Sequence, residues 1–93
     1  MFENDVKYIF LEGELDTLSS QNLEVQVDGL LSDTTDVIVD LTDLEYITSA
    51  GLRILLEMQN VMNAKGSMKI TNSNEVVREI FEVTGFTKVL TIV

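Results

Sequence analysis

Two adjacent hydroxyl groups are the side chains of this sequence best placed to do chemistry. Thr48 and Ser49 stand between an extended apolar stretch and a stretch whose apolar periodicity predicts a helix, and two small residues, Ala50 and Gly51, follow them. A hydroxyl at such a junction predicts an N-cap, which accepts a backbone hydrogen bond from the first helical turn and contributes about 1 kcal/mol. Glycine in a first turn costs roughly 0.5–1 kcal/mol relative to alanine. Gly51 therefore indicates a close approach by another backbone or by a partner.

The sequence lacks the residues that a hydrolase or a nucleotide-binding site at Ser49 would require. The chain has no histidine and no G-x-S-x-G turn, and Leu52 occupies the position where an S-x-x-K motif has lysine. No phosphate-binding G-x-x-x-x-G-K-[ST] loop occurs. Acidic pairs such as Glu12 with Glu14 and Asp40 with Asp43 leave an acid-lined hydrolase or cation site open, although their spacing matches no calcium loop. We expect a binding protein rather than an enzyme, without a metal.

Composition narrows the class of protein further. The 93 residues fit one domain, 1–93, and the formal net charge of −10 opposes binding to nucleic acid or to anionic lipid. Without cysteine there are no disulfides or thiolate metal sites. The sequence has neither an apolar run of roughly 20 residues nor a secretory signal at its start. We therefore expect no membrane insertion and a cytoplasmic location.

The acidic charge is concentrated in one half of the chain. Residues 1–45 contain twelve acids and one base, whereas residues 46–93 contain four acids and five bases. Such an asymmetry attracts cationic protein surfaces to the acidic half, although single charges of this kind are more often solvated groups on loops and strand ends.

Strand and helix patterns alternate along the chain. Stretches rich in β-branched and aromatic residues predict strands at 6–13, 37–41, 68–71 and 89–93, and residues 1–5 are a candidate antiparallel edge strand. Apolar residues spaced by three and four predict a helix after each of the first three strands. The predicted N-terminal caps are Ser19 or Ser20, Thr48 or Ser49, and Ser73 or Asn74, and the glycines predicted to follow the second and third helices are Gly66, in the left-handed conformation, and Gly85.

This alternation predicts an α/β fold with a single layer of helices on a mixed four- to five-stranded sheet. Parallel pairs of strands would be joined by right-handed crossovers. In open α/β sheets, functional sites gather beyond the carboxyl ends of the strands. The loop at 42–51 and the segment EGELDTLSS at 12–20 are both expected at that edge.

Three segments resemble one known family. VIVDLTDLEYITSAGLRILL at 37–56 resembles the core signature of the STAS domain, the module of bacterial anti-sigma-factor antagonists. LEGELD at 11–16 resembles the first conserved loop of that family, and VVREIFEVTGFTKVLTI at 76–92 resembles its third helix and last strand. The three segments occur in the family's order and together cover nearly the whole chain.

The resemblance implies a binding protein that is switched by phosphorylation. Ser49, two residues before Gly51, matches the acceptor hydroxyl, and Thr48 stands where aspartate is common in the family. Asp16 matches an aspartate at the family's partner-binding surface. The positions that the resemblance implies for partner binding are Asp16, Thr48, Ser49, Ala50, Gly51, Leu52 and Arg53.

The partners implied by the resemblance are an anti-sigma factor that is also a serine protein kinase and a protein phosphatase that resets the switch. ATP would belong to the kinase, so no cofactor is expected in this chain. An alternative is a STAS adaptor subunit of a transporter or of a larger signalling assembly, in which Ser49 is only a helix cap. Many members have a further C-terminal helix, whereas this chain stops at Val93, and a less covered sheet favours self-association.

Overall fold

The computed structural model describes residues 6–93 of the chain. The candidate edge strand at residues 1–5 lies outside this range. In chain order, the elements are β1 (Val6–Leu15), α1 (Thr17–Leu31), β2 (Asp36–Ile47), α2 (Ser49–Asn63), β3 (Ser67–Thr71), α3 (Glu75–Thr84) and a short 3-10 helix (Phe86–Lys88).

The three strands form one parallel sheet in the order β1-β2-β3. The expectation of a mixed sheet with four to five strands is therefore wrong for the part of the chain that the structure describes. At 89–93, the predicted strand is reduced to a single parallel bridge between Ile92 and Ile70. The physical reason is the preceding turn, in which the Leu90 N–H donates to the Phe86 carbonyl over 2.8 Å. That turn takes Val89 and Leu90 out of the predicted strand.

All three helices contribute to a single core on one face of the sheet. Their buried apolar side chains form one cluster with alternate residues of the strands. Representative members are Leu23 and Val27 of α1, Leu55 and Met58 of α2, Val77 and Phe81 of α3, and Val39 and Ile70 of the sheet. The single helix layer predicted from the sequence is confirmed, and it follows from sequential parallel strands joined by crossovers of one hand.

One of the three helix starts differs from the sequence prediction, and a second has the predicted position without the predicted capping hydrogen bond. The cap of α1 is Asp16 rather than Ser19 or Ser20, because the Asp16 side chain accepts the Ser19 N–H. The cap of α2 is Thr48, but its side chain makes no capping hydrogen bond. The third helix is capped by Asn74, one of the two predicted residues.

Gly66 does not have the left-handed conformation predicted for it. Helix α2 ends at Asn63, and a Cβ atom on Gly66 would overlap the carbonyl oxygen of Thr35. The next residue, Ser67, donates its N–H to that same carbonyl over 2.9 Å. Glycine is needed here because the chain passes close to the residue that precedes β2 as it enters β3.

Candidate functional site

The helix starts of α1 and α2 lie side by side at the carboxyl edge of the sheet. Leu15, the last residue of β1, is paired with Ile47, the last residue of β2. Asp16 and Thr48 follow these two residues directly, so the turns into both helices meet at one place, as expected for an open α/β sheet. We call the surface formed by Asp16, Thr17, Thr48, Ser49, Ala50 and Arg53 the junction surface.

The Asp16 carboxylate closes the start of α1. Its Oδ1 atom accepts the backbone N–H of Ser19 over 3.0 Å, and the Ser19 hydroxyl in turn accepts the Asp16 N–H over 2.9 Å. The Ser19 hydroxyl also donates to the Glu14 carbonyl over 2.8 Å. The Ser19 backbone N–H holds the pKa of Asp16 below its ordinary value, with a further contribution from the Ser19 hydroxyl. Asp16 is therefore an ionised, half-buried cap at the edge of the junction surface.

Thr48 ties the start of α2 to the end of β1. Its hydroxyl donates to the Leu15 carbonyl over 3.2 Å, and its backbone N–H donates to the same oxygen over 3.0 Å. This hydroxyl donates across the sheet edge but accepts no N–H of the first helical turn, so it does not cap the helix. The prediction that Thr48 or Ser49 accepts a capping hydrogen bond is therefore wrong.

The Ser49 hydroxyl is free. Ser49 is the first residue of α2 and is exposed. Within residues 6–93, its side chain has no hydrogen-bond partner. Together with Thr17, Ala50 and Arg53 it lines an open depression of about 430 Å³. A group attached to Ser49 Oγ would meet solvent and the side chain of Arg53.

Gly51 and Leu52 lie beneath the junction surface rather than on it. Both are buried, and Leu52 is only 5% exposed. A Cβ atom on Gly51 would lie 2.5 Å from the Leu15 carbonyl oxygen and 2.7 Å from Cγ1 of Ile47. The glycine is thus explained by close approach of the chain's own backbone. The partner contacts implied for Gly51 and Leu52 do not fit their burial, and these residues support the surface from below.

Arg53 is the cation of the junction surface. It is exposed and lies one helical turn after Ser49, so the two side chains share a face of α2. Among the residues from 6 onwards, no carboxylate pairs with Arg53. Its guanidinium is therefore available to an anion or to an acidic group of a partner.

Two residues of this region, Thr17 and Ser20, were not predicted from the sequence as part of a functional site. Thr17 is exposed and lines the same depression as Ser49. Ser20 is buried between α1 and α2, and its hydroxyl has no hydrogen-bond partner in the described part of the chain. The position of Thr17, directly after an aspartate that precedes a helix, was the available signal. Nothing in the sequence distinguishes Ser20 from an ordinary helical serine.

The Asp40 carboxylate is used in hydrogen bonds within the fold. Its carboxylate accepts the Thr42 hydroxyl over 2.5 Å, the Thr42 N–H over 2.8 Å and the Asn72 amide over 3.2 Å. The Thr42 hydroxyl is the main reason that the pKa of Asp40 is lowered. No group of three or more potential metal ligands occurs among the described residues. Nor does any helix within 6–93 have the length and apolarity needed to cross a membrane.

Comparisons with known proteins agree with this architecture. The Anti-sigma-B factor antagonist of Bacillus subtilis is 29% identical over 91 residues, which cover 97% of this chain and 83% of that protein. The anti-sigma factor antagonist SpoIIAA in its unphosphorylated form superposes with a TM-score of 0.81 at 21% identity, over 100% of this chain and 84% of that one. The Bacillus cell fate determinant SpoIIAA in the phosphorylated form gives 0.73 at 20% identity, over 100% and 86%.

A sequence model of one family covers nearly the whole chain. The family is described as "Mlab, STAS domain", and the match extends over residues 3–92. Together with the parallel sheet, the single helix layer and the paired helix starts, this match shows that the chain belongs to the STAS domain family.

Proposed function

We propose that this protein is an anti-sigma-factor antagonist. In its unphosphorylated form it binds an anti-sigma factor that is also a serine kinase, and it thereby frees the sigma factor in the cytoplasm. Phosphorylation of Ser49 releases the partner, and a phosphatase restores the binding form. The observation that carries the proposal is the exposed Ser49 hydroxyl, which makes no hydrogen bond in the described chain. Relatives named as antagonists of anti-sigma factors support the choice of partner.

A phosphate on Ser49 is compatible with the fold. The hydroxyl has no hydrogen bond to lose among residues 6–93, and the N-terminus of a helix favours negative charge because its free N–H groups and its dipole face the anion. Arg53 stands one turn along the same helix face and supplies a cation. The phosphorylated SpoIIAA structure, which shares this fold, supports the same conclusion.

The same phosphate changes the surface strongly. It adds about −1.5 to −2 charges and three acceptor oxygens to a surface of small side chains. A partner that packs on Ser49 and Ala50 would have to strip water from this charge or would collide with it. A loss of about 3 kcal/mol in binding free energy weakens an affinity by roughly a hundredfold. Phosphorylation of Ser49 therefore weakens the binding of the partner and leaves the fold unchanged.

The junction surface also suggests how the partner is recognised. Ser49 and Thr17 provide hydroxyls, and Arg53, which pairs with no carboxylate in the described part of the chain, provides a cation within the same depression. An acidic or carbonyl group of the anti-sigma factor would complement this set. The phosphate would compete with such a group for Arg53, which adds to the release of the partner.

Phosphorylation by an anti-sigma kinase tests the proposal. Serine-kinase anti-sigma factors encoded in the same genome are incubated one by one with the protein and ATP, and the product is followed by intact mass and peptide mapping. One phosphate on Ser49 is expected, with none on Ser49→Ala and normal transfer to Thr48→Val. Phosphate on another residue would contradict the proposal.

The adaptor alternative predicts a different result. A permanently docked STAS subunit of a transporter or signalling assembly would bind its partner equally well as Ser49→Asp. That alternative also treats Ser49 as a helix cap, and the side chain makes no capping hydrogen bond. We therefore retain the switched antagonist as the proposed function.

A further inference from the structure

The sheet has a second face that no helix covers in residues 6–93. Its side chains alternate with those of the core and point away from the three helices. Pairing places them in three rows across the sheet, which are Val6, Asp36 and Ser67, then Tyr8, Ile38 and Lys69, then Phe10, Asp40 and Thr71. We call these nine residues the open face.

Two aromatic rings dominate the open face. Tyr8 and Phe10 are 58% and 70% exposed, and their rings stack with centroids 6.4 Å apart and an interplanar angle of 17°. Val6 lies next along β1, and Ile38 is paired with Tyr8 on β2. Parallel sheets are almost always covered on both faces, and grouped exposed apolar side chains mark interaction sites. The open face therefore has the character of an uncovered interface.

The charges around the aromatic rings are mainly negative. Asp36 and Asp40 stand in the first and third rows, and Glu12 follows Phe10 along β1. Lys69 is the one cation among the nine residues of the open face. The field over the rings is therefore negative, which favours an occupant with positive charge and disfavours an anionic membrane.

A second copy of the chain is a poor occupant. It would bring the same carboxylates against Asp36, Asp40 and Glu12, and the whole chain has a net charge of −10. Like charges brought together at an interface cost binding free energy. A helix with one apolar stripe flanked by lysine or arginine instead places apolar groups on Tyr8 and Phe10 and cations beside the carboxylates. This arrangement also supplies the helix layer that a parallel sheet normally has on its second face.

We propose that the open face docks a basic amphipathic helix of a partner protein. This site is separate from the junction surface, because it lies on the side of the sheet opposite the three helices and uses none of the residues around Ser49. The proposal therefore stands whether or not Ser49 is phosphorylated.

Binding of a defined peptide tests the proposal. The whole chain is titrated with the synthetic peptide LKKLLKLLKKLLKL, and both the affinity and the amide chemical shifts of the protein are recorded by NMR. We expect the largest shifts at Tyr8, Phe10, Ile38 and Lys69. The double variant Tyr8→Ser with Phe10→Ser should bind at least about tenfold more weakly, since exposed aromatic anchors dominate such interfaces.

Matched controls separate docking from general attraction to a negative protein. The variant Val25→Ser with Val83→Ser removes two apolar side chains that are 82% and 76% exposed on α1 and α3, and it should bind normally. A peptide of the same composition, rearranged so that no apolar stripe forms, should bind at least about tenfold more weakly than the amphipathic one. Equal losses in both double variants, or equal binding of both peptides, would overturn the proposal.

Two further measurements test the other occupants. Sedimentation equilibrium is expected to show a monomer, and a dimer that is abolished by Phe10→Ser would assign the face to a second copy instead. Vesicles of phosphatidylcholine are expected not to bind, and binding that is lost in the Tyr8 and Phe10 double variant would assign the face to lipid. Either result would overturn the proposal.

Discussion

The starts of α1 and α2 lie next to each other at the same edge of the sheet, but their polar groups are used differently. At α1, the Asp16 carboxylate and the Ser19 hydroxyl bond each other's backbone N–H groups and close the first turn. At α2, Thr48 turns its hydroxyl to the Leu15 carbonyl, and Ser49 makes no hydrogen bond within 6–93. One start is closed by its own side chains, whereas the other leaves a hydroxyl free.

The difference bears on the proposal that Ser49 is phosphorylated. The Ser19 hydroxyl, in the first turn of α1, takes part in several hydrogen bonds, so a covalent change there would disrupt the helix start. Ser49 is the first residue of α2, and its neighbour Thr48 makes the hydrogen bonds to the end of β1. A group can therefore be attached to the Ser49 hydroxyl while the Thr48 hydrogen bonds remain. The predictions below test the contrast between the closed start and the open one.

The largest expected effect is the loss of stability when a side chain is added at Gly51, where α2 packs against the ends of β1 and β2. Gly51→Ala would place a Cβ atom 2.5 Å from the Leu15 carbonyl oxygen, so α2 would have to move away from the sheet edge. We expect the free energy of unfolding to fall by about 1–3 kcal/mol, measured by urea denaturation.

Gly29 in α1 is the matched control for Gly51. A Cβ atom there would meet no atom within 4 Å, so Gly29→Ala should raise the stability by about 0.5–1 kcal/mol. If Gly51→Ala raises the stability as Gly29→Ala does, the close approach at Gly51 has no energetic significance.

The closed and open starts should differ on substitution of their polar side chains. Asp16→Ala removes the acceptor of the capping box and should lower the stability measurably. Ser49→Ala removes no hydrogen bond and should leave the free energy of unfolding within about 0.5 kcal/mol of the original. Thermal and urea unfolding of the two variants provide the comparison, and equal losses would show that Ser49 is a cap after all.

Lowering the pH should destabilise the start of α1, because the Asp16 carboxylate caps it. The pKa of Asp16 is lowered in the folded chain, first by the Ser19 backbone N–H. Its contribution to stability is therefore fully present above its ordinary pKa of 3.8 and is lost as the pH falls through the lowered folded value. The stability difference between the original chain and Asp16→Asn should shrink as the pH falls through this region. A difference that is constant with pH would contradict the role of the ionised carboxylate.

The smallest effect concerns Arg53. With phosphoserine incorporated at position 49, the cation one turn away should stabilise the dianion and lower the second pKa of the phosphate below its ordinary value of about 6. Arg53→Gln should raise that pKa towards the ordinary value in a phosphorus NMR titration. Arg78→Gln, an exposed position on α3, serves as the control and should have no effect. An equal titration curve for Arg53→Gln would remove Arg53 from the switch.

Much of the architecture could be predicted from residue patterns. The alternation of strands and helices, the start of α2 at Thr48 and Ser49, and the cap Asn74 all follow from local propensity. The closed start of α1 was missed because two serines, Ser19 and Ser20, suggested the cap. In fact Ser19 is the third helical residue and bonds back to Asp16, as in a capping box with serine in place of the usual glutamate.

Other features depend on contacts that a single sequence does not reveal. Gly51 and Gly66 are required by the close approach of Leu15 and Thr35, residues far away along the chain. The predicted fourth strand is cut short by the turn after the 3-10 helix. The hydrogen bond of the Thr48 hydroxyl depends on where the Leu15 carbonyl lies, which the local sequence does not show.

The measurement that tests the central claim most directly is the affinity of the anti-sigma factor for two forms of this protein, unmodified and carrying phosphoserine at position 49. The account predicts an affinity at least roughly a hundredfold weaker for the phosphorylated form, with the same circular dichroism spectrum and no loss of thermal stability. Equal affinities, or a phosphorylated form that unfolds, would contradict it.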